Sequence, residues 1–248
     1  MTTPVSMEGL RGVVLDIEGT TTSISFVFDK LFNYSREHVR DYLARHFDTD
    51  CVRADIQLLR EEHSKDTREE KQPPPLDDPG SPTEIDSLAT YVNWLIDLNR
   101  KSTGLKSLQG KIWHEGYADG TLRSHVFPDV APALARWRYA GLSINIFSSG
   151  SALAQQLLFA HTEAGDLTPF INNYFDTTIG KKGEAESYRR IADSIGVRPD
   201  ELLFVSDIVA ELAAAREAGM KTVLSIRPGN QPQESADQYP NIHSFDEL

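Results

Sequence analysis

Apolar positions follow two different rhythms along this chain. From about residue 26 to residue 119 they recur at helical spacing. Phe28, Leu31, Phe32, Val39 and Tyr42 predict a helix over 26–47, and Val52, Ile56 and Leu59 predict one over 51–62. Helical periodicity returns over 84–119 through Leu88, Tyr91, Val92, Leu95 and Leu98, then Leu105, Leu108, Ile112 and Trp113. Elsewhere the apolar residues form short unbroken runs, the signature of strands buried on both faces. These are Gly12-Val13-Val14-Leu15, Leu142 to Phe147, Tyr174 to Ile179 as a short or extended piece, Leu202 to Val205 and Lys221 to Ile226. Helical stretches at 151–161, 184–195 and 209–218 alternate with the later runs, the last stopping at Gly219 as a C-cap.

The spacing of the strands sets the architecture. A strand-helix-strand unit needs about 30 residues, yet the first two runs are separated by residues 16–141. A helical insertion over about 23–124 therefore interrupts an α/β core made of 1–22 and 125–248. A loop after a strand that carries chemistry is a natural place for a lid. Within the insertion, His63 to Asp86 is charged and contains Pro73-Pro74-Pro75 and Pro79-Gly80-Ser81-Pro82, which predicts a mobile surface loop. No internal repeat is present, and the tail after Pro228 is polar with no evident role.

Composition narrows the class. With 248 residues, 40% hydrophobic and 25% charged, the chain can bury a substantial core as a soluble protein. No run reaches the length of a membrane helix and the N-terminus has no signal-peptide core, so a cytoplasmic protein is expected. Cys51 is the one cysteine, which suits a reducing compartment and is read as a packing residue. The formal charge of −12, from 25 Lys and Arg against 37 Asp and Glu, argues against nucleic-acid or anionic-membrane partners. An anionic substrate would need local positive chemistry to overcome that field.

Four places offer such chemistry. The first strand ends in Asp16-Ile17-Glu18-Gly19-Thr20-Thr21-Thr22, where a carboxylate at a strand's carboxyl end is a candidate active-site group. The second ends in Ser148-Ser149-Gly150, whose hydroxyls and free amides opening a helix suit an anion, though taken alone such a run is more often a helix cap and turn. Lys181-Lys182 precedes a later helix and by itself reads as a solvated pair. Asp207 closes another strand, with Glu211 four residues on as either a functional acid or an ordinary first-turn charge. The seven histidines show no zinc-type spacing. Trp113 reads as core or domain interface.

The order acid, hydroxyl, lysine, acid resembles the four-motif pattern of haloacid-dehalogenase-like phosphatases. Asp16 to Thr22, Phe147 to Ser151, Phe175-Asp176-Thr177 through Ser187-Tyr188, Leu105 to Gly110 and Arg227-Pro228-Gly229-Asn230 resemble, more narrowly, the enolase-phosphatase E1 family of methionine salvage. Glu18 stands where most of the superfamily has a second aspartate, and the Glu-Gly-Thr-Thr-Thr continuation is typical of that narrower family. The resemblance covers nearly the whole chain and is weakest in the proline-rich loop. It implies a Rossmann-like haloacid-dehalogenase core with a parallel sheet and an inserted helical cap.

Phosphate ester cleavage needs a nucleophile, a charge clamp and a proton donor for the leaving oxygen. Asp16 is placed to form an aspartyl-phosphate, and a hard cation, Mg²⁺ for an oxygen-rich site, would bring it and the phosphate together. One Mg²⁺ per chain is expected on Asp16 and Asp207, the resemblance adding the main-chain carbonyl of Glu18. The Glu18 side chain is the candidate acid and base, and Ser148 and Ser149 the phosphate holders. Lys182 is preferred to Lys181 because it aligns with the family's Ile-Gly-x-Lys pattern. The resemblance implies enolisation of 2,3-diketo-5-methylthiopentyl-1-phosphate followed by dephosphorylation, with Glu18 or a group of the insertion as enolisation base and the methylthio tail against the helical lid. A small-molecule phosphate ester is the expected partner and a monomer the expected state. The rival readings are a phosphatase of another small ester and a phospho-accepting signalling module. The second is disfavoured by the chain's length, motif order and insertion.

Overall fold

Six short strands form one parallel sheet in the order β3-β2-β1-β4-β5-β6. They are β1 Gly12–Leu15, β2 Ser143–Phe147, β3 Asn173–Phe175, β4 Leu202–Ser206, β5 Lys221–Ser225 and β6 Asn241–Ile242. The structure is a computed structural model and describes residues 6–248. β1 is buried throughout, as its unbroken apolar run requires. Leu15 stands opposite Ile146 on one side and Val205 on the other. The chain runs outward from β1 through β2 to β3, then returns to β4 on the other flank of β1. That reversal of strand order is the switch point at which open α/β sheets bind ligands, outside the strands' carboxyl ends.

Two compact units partition the chain, one of residues 1–27 and 123–248, the other of 28–122. The first carries the sheet with helices α5 (Val130–Tyr139), α6 (Ala152–Ala160), α7 (Ala185–Ile195) and α8 (Val209–Glu217). Phe147, Tyr188, Phe204, Leu212 and Leu224 form the centre of one of its cores. In the second unit, α1 (Asn33–His46), α2 (Asp50–Arg68), α3 (Glu84–Asp97) and α4 (Thr103–Ala118) bury Val39, Leu43, Leu59, Tyr91, Leu95 and Leu108 against one another. Ser102 opens α4 as an N-cap that accepts from the Leu105 amide. No helix among the described residues is long and apolar enough to cross a membrane.

Several local expectations are corrected. Residues 26–32 are a π-helical segment that leads into α1 rather than part of one α-helix. The proline-rich stretch is shorter than the expected 63–86, because α2 runs on to Arg68 and α3 begins at Glu84. Charge pairing explains the extension: buried Asp66 bonds Arg100, Lys71 and the Tyr91 hydroxyl. The loop itself is tied down. His63 Nε2 donates to the Pro74 carbonyl, Arg60 to that of Asp77, and Arg60 also pairs with buried Glu84. Cys51 is exposed, not packed. Trp113 is buried within the second unit, donating to the Leu31 carbonyl and stacking near Phe32. The polar tail supplies β6, and α8 closes at Ala218 with Gly219 one step beyond, at φ +97°.

Candidate active site

β1 delivers Asp16 to the carboxyl edge of the sheet, where its amide still bonds the Val205 carbonyl of β4. The chain then coils tightly. The amides of Thr20, Thr21 and Thr22 all point at the Ile17 carbonyl, and the Gly19 amide returns to that of Thr22. Gly19 sits at φ +67°, and a Cβ there would strike the Asp207 carboxylate, so glycine is required on two counts. Thr21 adds hydroxyl contacts to the Asp16 and Ile17 carbonyls. The Gly-Thr-Thr-Thr run is therefore a self-bonded knot that fixes the backbone just beyond Asp16.

Asp16 is buried, and its Oδ1 is held from two sides. Lys182 Nζ lies 2.6 Å from it and the Ile17 amide donates at 2.7 Å. Ser206 Oγ is 3.4 Å from Oδ2, but its shorter bond, 2.8 Å, goes to Glu211 Oε2. Glu211 in turn is 2.6 Å from Lys182 Nζ. Lys182 is thus clamped between a strand-end acid of β1 and a first-turn acid of α8. Burial alone would lower its pKa, but Asp16 and Glu211 together push it up, so it is a fixed cation. Lys181, its neighbour, faces solvent and pairs with Glu184. The loop makes this choice. Gly180 at φ +145° lies against Ser187, the Ser187 hydroxyl donates to the Lys181 carbonyl and the Tyr188 hydroxyl to that of Lys182.

Asp207, the next residue after β4, is buried beside these groups. Burial first, then the nearby charges of Asp16 and Glu211, push its pKa up to about 7. Glu211 is raised for the same reasons, against the opposing pull of Lys182. Three carboxyl groups thus share one lysine. Ser148 is buried at the end of β2, its amide bonded to the Phe175 carbonyl and its hydroxyl accepting from the Gly150 amide. Ser149 is half-buried beside it, and Glu18 is half-buried in the coil after Asp16. Among the described residues, no three His, Cys, Asp or Glu side chains are grouped to hold a metal ion. Asp16, Glu18 and Asp207 therefore form no three-side-chain cluster, and the part expected of Glu18 in metal binding is its main-chain carbonyl.

The structure brings Asp16, Lys182 and Asp207 into one buried charge network and adds Glu211 and Ser206. The sequence signal for Glu211 is its four-residue spacing from Asp207, which a helix first turn also explains. For Ser206 there is no signal beyond its place next to Asp207.

Comparison with known proteins places this geometry. The haloacid dehalogenase-like hydrolase family matches residues 10–219. Enolase-phosphatase E1 of Synechococcus elongatus is 52% identical over 248 residues, covering all of both chains. Enolase-phosphatase E1 of Sorangium cellulosum is 44% identical over 238 residues, covering 96% of this chain and 97% of that one. Among solved structures, the UTR4 protein of Saccharomyces cerevisiae superposes with a TM-score of 0.72 at 31% identity, over 96% of this chain and all of that one. The chain belongs to the haloacid dehalogenase-like hydrolases and, within them, to the enolase-phosphatase E1 family.

Proposed function

We propose that this phosphatase enolises 2,3-diketo-5-methylthiopentyl-1-phosphate and then dephosphorylates it to the acireductone 1,2-dihydroxy-3-keto-5-methylthiopentene in methionine salvage, with Asp16 as nucleophile. The observation that carries the site assignment is the Asp16 carboxylate at the end of the central strand. One oxygen is fixed by Lys182 and the Ile17 amide, so the group is held in a single orientation at the carboxyl end of the sheet. The covalent step balances simply. The bond from Asp16 to phosphorus forms as the bond from phosphorus to the enol oxygen breaks, and the leaving oxygen takes a proton from Glu18. Glu18 then removes a proton from water, which attacks phosphorus, frees inorganic phosphate and restores Asp16. Ser148, Ser149 and Lys182 hold the phosphoryl oxygens.

A divalent cation fits the residues present. Asp16, Asp207 and Glu211 outnumber the lysine among them, the donors are all oxygen, and the pull of Lys182 on Asp207 is outweighed by burial and the neighbouring acids. Asp16, Asp207 and the Glu18 carbonyl would hold one Mg²⁺. When bound, it supplies positive charge that lets a phosphate dianion approach a carboxylate. A cytoplasmic monomer is the working unit we assign, the single cysteine suiting a reducing compartment.

The test follows enol absorbance and free phosphate together on the diketo phosphate with Mg²⁺. An enol that rises before phosphate appears supports the full assignment, and phosphate release with no enol on the pathway reduces it to a general phosphatase. The Asp16→Asn enzyme is expected to release no phosphate while keeping its circular dichroism spectrum. Retained turnover would sink the nucleophile assignment.

A further inference from the structure

Arg227-Pro228-Gly229-Asn230 follows β5, and the reaction as described uses none of it. Asn230 nevertheless reaches the catalytic coil. Its Nδ2 donates to the Gly19 carbonyl at 2.9 Å and to the Ser225 carbonyl at 3.1 Å. Two carbonyl acceptors on one side fix the amide's orientation, because a flip would set Oδ1 against both of them. Oδ1 therefore points the other way, where it is buried with no hydrogen-bond partner among the described residues. Its neighbourhood is marked by Gly19. The position a Cβ would take on Gly19 lies under 3.0 Å from Asn230 Oδ1 and also under 3.0 Å from the Asp207 carboxylate. Two oxygens, one from each residue, therefore lie against the side of Gly19 from which a side chain would project. A carboxylate cannot satisfy a carbonyl oxygen, and a buried acceptor left without a donor is costly. A molecule with an O–H to give Asn230 and a second to give Asp207 resolves it, and water is the simplest.

We infer that Asn230 is a positioning residue of the cation site, its Oδ1 accepting from a water molecule that bridges to Asp207. This rests on the reading that Asp207 helps hold a divalent cation. Groups in this position orient a metal's ligands and typically change its affinity by about 10- to 100-fold. The same amide, through Nδ2, steadies the Gly19 carbonyl, so one side chain couples the coil after Asp16 to the acid after β4.

The two jobs of the side chain separate in two variants. Asn230→Ala loses both. Asn230→Asp keeps an acceptor beside Asp207 but cannot donate to the Gly19 and Ser225 carbonyls. Mn²⁺ binding is measured from the loss of the free-ion electron paramagnetic resonance signal, beside thermal unfolding followed by circular dichroism. Asn230→Ala is expected to bind Mn²⁺ about 10-fold more weakly than the unmodified enzyme. Asn230→Asp is expected to recover most of that loss although it unfolds at a lower temperature. A purely structural asparagine would make affinity follow stability, so an Asn230→Asp enzyme as weak as Asn230→Ala overturns the proposal. Unchanged affinity in Asn230→Ala overturns it as well. An unmodified enzyme that binds no Mn²⁺, or an Asp207→Asn enzyme that binds it undiminished, removes the cation reading itself and this inference with it.

Discussion

Two adjacent lysines have opposite surroundings here, and a few hydrogen bonds make the difference. Lys181 is exposed and pairs at the surface with Glu184, a contact of the kind that contributes little. Lys182 is buried, with 2.6 Å contacts to two carboxylates. Replacing Lys182 by alanine removes the positive group nearest Asp16 and leaves Asp16 and Glu211 facing each other without it. We expect kcat/KM to fall by about 100-fold, the scale of losing one group that stabilises developing charge. Lys181→Ala should stay within about 2-fold of the unmodified enzyme. Steady-state kinetics on both variants decides this, and equal losses would mean that the inward lysine is not the one that meets substrate. Sequence alone offered both lysines, and the family pattern singled out Lys182. The physical selector, Gly180 with the hydroxyls of Ser187 and Tyr188, acts through carbonyls and leaves no trace in apolar periodicity.

At the scale of elements, one buried ion pair joins three parts of the first unit. Arg227, just after β5, pairs with Asp129 at the start of α5, donates to the His243 carbonyl after β6 and to that of Thr20, and lies between the rings of Phe127 and Phe245. Burial would raise the Asp129 pKa, but Arg227 and the Phe245 amide outweigh it and hold the group below its ordinary value. The sign of the linkage follows. A carboxylate with a depressed folded-state pKa adds stability above its unfolded pKa, near 3.8, and that contribution is lost as pH falls through the lower folded value. Asp129→Asn should cost about 3 kcal/mol at neutral pH, since it leaves Arg227 buried without its partner charge. The gap to the unmodified protein should narrow once pH drops below about 4. Urea unfolding across that range checks it, and a gap independent of pH would show that the pair does not act through charge. This clamp also marks where sequence reading stopped. β1, β2, β4 and β5 were legible because each is a run buried on both faces. β6 has two residues and depends on pairing with β5, and the stripe of α5, Val130, Ala133, Leu134 and Trp137, spans only ten residues with Pro132 among them. Glu211 was visible as a charge but not as a partner of Lys182, because spacing along a helix does not say which strand end it faces.

The whole molecule carries a formal charge of −12, and the groups around Asp16 do not reverse that sign locally, since three carboxyl groups surround Lys182. A phosphate ester approaching from solution therefore meets repulsion over distances comparable to the screening length, about 30 Å at 0.01 M salt and about 8 Å at 0.15 M. The attraction that finally holds it acts at contact from buried groups, which salt screens far less. These two ranges predict an unusual salt dependence for an enzyme of an anionic substrate. With free Mg²⁺ held constant and saturating, kcat/KM should rise by a few-fold between those salt concentrations, because encounter becomes easier, while kcat stays level. An enzyme whose mouth is positively charged behaves in the opposite way, as salt weakens its steering. Measuring kcat/KM against sodium chloride concentration separates the two. A falling curve would show that a positive field, from the bound cation with Lys182 or from further cations at the entrance, reaches out of the site despite the net charge.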